Sequence, residues 1–75
     1  MIDWKNYLTS DPSVLFGKQV VKGTRIPVDL ILEKLATNYS FEDLLSAYPK
    51  LSPDAIRACL AFASENAKHE RIFAL

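Results

Sequence analysis

The sequence predicts a mainly helical domain, three short helices in a helix-turn-helix arrangement behind a small N-terminal β-hairpin or β-arm. Three observations predict it. Apolar residues recur at helical spacing in three stretches after Pro27, turn-forming residues break the preceding chain into short extended pieces, and the joints between stretches are tight.

The first third, residues 3–26, is the arm. Short apolar pieces (Trp4, Tyr7-Leu8, Val14-Leu15-Phe16, Gln19-Val20-Val21) are separated by Ser10-Asp11-Pro12 and by Gly17-Lys18. A glycine followed by a polar residue between two apolar runs suits a two-residue type II′ hairpin turn at Gly17-Lys18. The arm ends in Lys22-Gly23-Thr24-Arg25-Ile26-Pro27-Val28, a basic turn that runs straight into a helix. Gly23 takes a positive φ without steric cost, so the chain reverses there. Pro27 has φ fixed near the helical value and lacks an amide that a first helical turn would leave unpaired, which suits a helix start.

From Pro27 the period turns helical. Val28, Ile31, Leu32 and Leu35 form one apolar stripe, and Asn38 tolerates the left-handed conformation that ends a helix. Ser40 begins the second helix with a capping arrangement toward Asp43, Phe41, Leu44, Leu45 and Tyr48 repeat the spacing, and Pro49 stops it. Ser52-Pro53-Asp54 then supplies an N-cap, a proline at the first helical position and a first-turn acid. Ile56, Cys59, Leu60, Ala63 and Ala67 are expected inward on this third helix, with Asp54, Arg57, Ala58, Ala61 and Glu65 outward. Helices of roughly ten, eight and sixteen residues make a compact trihelical unit. One domain spans 1–75: an arm over 1–26, a helical body over 27–68 and a tail over 69–75 that either folds back or docks elsewhere.

Composition narrows the function. A chain of 75 residues buries only about 60% of its unfolded surface, so 49% apolar content implies a dense helical core or apolar surface kept for a partner. Nine basic residues against nine acidic ones give a net charge of zero, where monomeric nucleic-acid binders usually carry a positive excess. The single cysteine, Cys59, excludes an intrachain disulfide and suits a reducing compartment. With no apolar run near the N-terminus and none long enough to span a membrane, a cytoplasmic location is expected.

Catalysis is not expected. A nucleophilic site needs nucleophile, base and orienting group together, yet the one histidine, His69, falls at a helix end and Cys59 lies on the inward stripe. One Cys and one His do not make a structural zinc site, and no cofactor motif occurs. Two binding chemistries remain. Lys18, Lys22 and Arg25 form a basic cluster without an intervening acid, and with Lys50 and Arg57 they are candidate contacts to DNA phosphates. The outward face of the third helix is a poor reader of bases, and Arg57 has an alternative partner in Asp54 at i−3. Phe62, Ile72 and Phe73 are candidate anchors for a protein partner, unless the arm residues Trp4 and Tyr7 cover Phe62.

Ser10-Asp11-Pro12, Gly17-Lys18 and Val20-Val21-Lys22-Gly23-Thr24-Arg25-Ile26-Pro27-Val28 resemble the domain of unknown function (DUF) 433 family. So do Leu30-Ile31-Leu32, the block Tyr48-Pro49-Lys50-Leu51-Ser52-Pro53-Asp54-Ala55-Ile56-Arg57-Ala58, then Ala61-Phe62-Ala63 and Glu70-Arg71-Ile72. Asn38 stands where that family usually has glycine, and Phe16 where it has a small residue. The resemblance implies a homeodomain-like or winged-helix-like helix-turn-helix body with a β-arm. It also implies an antitoxin that neutralises a PIN-like ribonuclease toxin, with double-stranded operator DNA as a second ligand and a homodimer as the working form. A stand-alone DNA-binding regulator without a toxin is the alternative.

Overall fold

The computed structural model describes residues 1–69. Two strands, β1 (Leu8–Ser10) and β2 (Gln19–Val21), precede three helices, α1 (Val28–Ala36), α2 (Phe41–Ala47) and α3 (Pro53–His69). The strands pair antiparallel, with Leu8 opposite Val21 and Ser10 opposite Gln19. The mainly helical class with a two-stranded hairpin is as the sequence predicts.

The hairpin is closed differently from the sequence expectation. No two-residue turn forms at Gly17-Lys18, and Val14-Leu15-Phe16 is not a strand; a loop over 11–18 joins β1 to β2. Asp11 starts the loop by accepting bonds from the Ser13 amide (2.9 Å) and hydroxyl (2.8 Å). A 3-10 turn over Leu15–Gly17 follows, and the Ser10 hydroxyl donates across the loop to the Gly17 carbonyl at 2.6 Å. These local bonds outcompete the tight turn, and Gly17 (φ 83°) leads into β2 rather than joining the strands.

The turn after β2 is closed by a threonine. Thr24 Oγ1 donates to the Val21 carbonyl at 2.8 Å and accepts from the Ile26 amide at 3.0 Å, while Gly23 sits at φ 77°. Pro27 is the N-cap in extended conformation (ψ 147°) rather than the first helical residue, so α1 starts one position later than expected. The end of α1 is a Schellman arrangement: Asn38 at φ 73°, with the Tyr39 amide bonded to the Lys34 carbonyl and the Asn38 amide to that of Leu35. At α2 the capping box is complete, Ser40 Oγ accepting from the Asp43 amide (3.0 Å) and Asp43 Oδ2 from the Ser40 amide (2.9 Å). Ser52 Oγ accepts from the Ala55 amide at 3.1 Å and starts α3.

The core centres on Ile31, Leu44, Ile56 and Cys59, all fully buried. Burying aliphatic side chains of this size stabilises the fold by about 1.5–3 kcal/mol each. The third helix is the axle: α1, α2, β1 and the N-terminal 3-10 turn (Trp4–Asn6) all pack on it. Trp4 meets Phe62 edge-on at 4.9 Å between ring centroids, and its Nε1 donates to Glu65 Oε2 at 2.7 Å. Docking of this turn rotates the buried sector of α3 away from the expected stripe. Ala58 (0% exposed) and Ala61 (4%) face inward, whereas Leu60 (42%) and Ala67 are exposed. Small alanines let the neighbouring elements approach closely, so helix-former residues taken as surface become core.

Candidate functional site

Two exposed surfaces carry chemistry, and one is cationic. Thr24, Arg25 and Ile26 from the turn before α1 face Ala47, Tyr48, Pro49 and Lys50 from the end of α2 across a cleft of about 300 Å³. Two local structures build it. The threonine-closed turn presents Arg25 outward, and the proline-stopped end of α2 presents Lys50. No carboxylate lines the cleft. Among the described residues neither ion pair involves Lys22, Arg25 or Lys50. Lys22 is exposed beside Gly23, its amide donating to the Tyr7 carbonyl at 2.9 Å.

The other cations named from the sequence are engaged. Lys18 Nζ lies 2.9 Å from Asp29 Oδ2, and the hydrogen bond from Lys18 holds the Asp29 carboxyl below its ordinary range. Arg57 Nη1 lies 2.8 Å from Asp54 Oδ1, with its guanidinium 5.9 Å from the Phe41 ring centroid. The structure thus divides the five basic residues. Arg25 and Lys50 share one cleft, Lys22 lies on the same turn as Arg25, and Lys18 and Arg57 are tied to neighbouring carboxylates.

The second surface is apolar. On α3 Asp54, Arg57, Leu60 and residues 65–68 are exposed and Ser64 is half-buried; among these the large apolar side chain is Leu60. Met1 and Ile2 flank it, and with Ala61 they enclose a groove of about 380 Å³. Sequence reasoning missed this groove by placing Leu60 inward. The available signal is the run Ala55-Ile56-Arg57-Ala58-Cys59-Leu60-Ala61-Phe62-Ala63, apolar on nearly every side and wider than a core stripe. Phe62 is half-buried under Trp4, and Ile72 and Phe73 lie outside the described residues.

Burial pushes the Cys59 thiol up to about 11, which keeps it protonated and unreactive. No three His, Cys, Asp or Glu side chains converge as a metal site among the described residues. No helix among them is long and apolar enough to cross a membrane.

A family model described as "Protein of unknown function (DUF433)" matches residues 8–63, from β1 into α3. The uncharacterized protein y4eO of Sinorhizobium fredii (strain NBRC 101917 / NGR234) is 37% identical over 62 residues, covering 83% of this chain and 28% of y4eO. The crystal structure of a DUF433 member protein from Anabaena variabilis ATCC 29413, at 2.00 Å resolution, matches with a TM-score of 0.79 at 25% identity. That match covers 85% of this chain and 63% of the other. The chain therefore spans little more than a quarter of the curated relative and under two thirds of the solved one. The matched span holds all five basic residues, whereas Met1, Ile2 and Ser64 of the apolar groove lie outside it.

Proposed function

The chain belongs to the DUF433 family, and on that premise we propose that it is a non-enzymatic, partner-binding module of the antitoxin kind. Its partner in this reading is a PIN-like ribonuclease, seated on the apolar groove of α3, and it works in the cytoplasm, where Cys59 stays reduced. One observation carries the reading. The exposed face of α3 presents Leu60 in an apolar groove, and the cation that lines this groove, Arg57, is bound to Asp54. A helix that reads base edges offers hydrogen-bond donors there. This one offers the kind of surface that anchors another protein.

The test is to recover the tagged chain from its native cells at moderate salt, beside its Leu60→Asp variant. The expected result is a nuclease-like protein in near-equal amount with the wild type, and at least a tenfold loss with the variant. Equal recovery with both, or no nuclease with either, overturns the reading.

A second reading, a DNA-binding regulator without a toxin, is favoured by the cleft in which Arg25 and Lys50 meet without a carboxylate. Cations that neutralise phosphates give binding that weakens steeply with salt, by a log–log slope of about −0.9 per phosphate contacted. An unchanged slope in Arg25→Ala removes that cleft from the DNA contacts.

A further inference from the structure

The cleft between the turn over 22–27 and the end of α2 is braced on both sides. On one side Thr24 closes the turn, and the Val21 amide donates to the Ile26 carbonyl at 3.0 Å, so the backbone that carries Arg25 is fixed. On the other, the Leu51 amide donates to the Tyr48 carbonyl at 2.9 Å and fixes the bend that carries Lys50. Two cations from separate elements therefore line one space on backbones already set. Groups positioned before contact lose less entropy on binding.

Charge selects the kind of occupant. Among the described residues no carboxylate lines the cleft, and neither ion pair takes up Arg25 or Lys50. Cations gathered without a counter-charge are relieved by an anion. Between them the lining is largely apolar, from Ile26, Ala47, Tyr48 and Pro49. A bare anion satisfies the cations and leaves those walls wet. The volume, about 300 Å³, is at the small end of ligand pockets, which run from about 300 to 1,000 Å³. A small ligand with an anionic end and a flat apolar end meets all three conditions. Duplex DNA does not, because its bases are stacked inside and only phosphates reach the apolar walls. The helix that would enter its major groove, α3, begins with an arginine already held by Asp54, and a net charge of zero gives no long-range attraction. An unpaired nucleotide offers both ends, and cations beside an aromatic side chain are what single strands are held by.

We propose that the cleft binds one unpaired nucleotide, its phosphate between Arg25 and Lys50 and its base against the wall made by Tyr48 and Pro49. The inference rests on the premise of the second reading above, that this cleft meets nucleic acid, and replaces the duplex with an unpaired form. A free nucleoside phosphate and a nucleotide within a single strand carry the same chemistry, and the experiment separates them. The cleft shares no residue with the groove beside Leu60, so a nucleotide held here leaves that groove open to a protein partner.

The test is fluorescence anisotropy of the full chain with three labelled probes: a thymidylate hexamer, an abasic hexamer with the same phosphates, and a blunt DNA duplex. Thymidine monophosphate and inorganic phosphate serve as competitors. The thymidylate hexamer is expected to bind at least tenfold tighter than the duplex and at least fivefold tighter than the abasic hexamer, which lacks the base to stack. Salt is expected to weaken it with a log–log slope of about −0.7, the value for one phosphate of a single strand. Arg25→Ala and Lys50→Ala are each expected to weaken it at least fivefold with the helical circular-dichroism signal unchanged. The abasic probe alters the ligand and not the protein, so the base contact is tested without disturbing Tyr48. Competition by thymidine monophosphate at the affinity of the hexamer assigns the site to free nucleotides, and a much tighter hexamer assigns it to a strand; either upholds the proposal. Equal binding of the abasic hexamer, or equal competition by inorganic phosphate, overturns it by reducing the cleft to a site for charge alone. Tighter binding of the duplex overturns it and keeps the second reading, whereas no binding of any probe overturns both.

Discussion

The two irregular segments of the arm, the loop over 11–18 and the turn over 22–27, both use positive φ, yet they distribute it very differently. In the turn the single left-handed position is Gly23, and Thr24 supplies the closing hydroxyl. Every residue there suits its conformation. In the loop three consecutive positions are left-handed, and two of them hold leucine and phenylalanine. Residues that suit their backbone are explained by folding alone. Residues that oppose it are kept there by bonds from both flanks, at a cost in stability.

This comparison is open to attack at several points. The largest effect is expected at Gly23. Nothing lies within 4 Å of a Cβ built there, so Gly23→Ala costs only the left-handed penalty, about 1–2 kcal/mol, read as a lower urea midpoint at unchanged slope. Thr24→Val removes an oxygen that both donates and accepts, and is expected to cost about 1 kcal/mol in the same measurement. The loop should respond with the opposite sign. Phe16→Gly relieves strain at φ 58° and is expected to stabilise the fold by about 0.5–1 kcal/mol, read in the same urea titration. A loss of stability in Phe16→Gly would place Phe16 among the structural residues and collapse the contrast.

The smallest effect is one of pH. Hydrogen bonds from the Ser13 amide and hydroxyl hold the Asp11 carboxyl below its ordinary value of 3.8. A carboxyl lowered in the folded state contributes stability above its ordinary value and loses it as pH falls through the lowered one. Asp29 follows the same rule, through its bond from Lys18. Acidification is therefore expected to shift the Ser13 and Lys18 amide resonances while leaving Thr24 unmoved, since the turn is closed by a hydroxyl and backbone groups. Parallel movement of Thr24 would show that the two segments are not independent.

The same contrast explains what the sequence made legible. Helix starts at Ser40 and Ser52, the left-handed Asn38 and the reversal at Gly23 are local chemistry, written in the residues that perform them. The pairing of Leu8–Ser10 with Gln19–Val21 was not legible, because a choice between strand partners depends on the loop's internal bonds rather than on apolar runs. Nor was the orientation of α3, where Leu60 and Ala58 exchange their expected places. Periodicity finds an apolar stripe but not what packs against it, and the N-terminal turn that rotates this helix is distant in sequence. For the candidate sites, all five basic residues were nameable from the chain. Which two meet at one cleft and which two are claimed by carboxylates depended on the folded arrangement.

The bond from Trp4 to Glu65 spans 61 positions of the chain. During synthesis the tryptophan emerges long before the glutamate it binds. Until then the helix on which α1, α2, β1 and the N-terminal turn pack is incomplete, and the hairpin and first two helices have only one another to rest on. Closure of the core around α3 is therefore a late step. Until that closure, the residues that will form the core stay open to proteases.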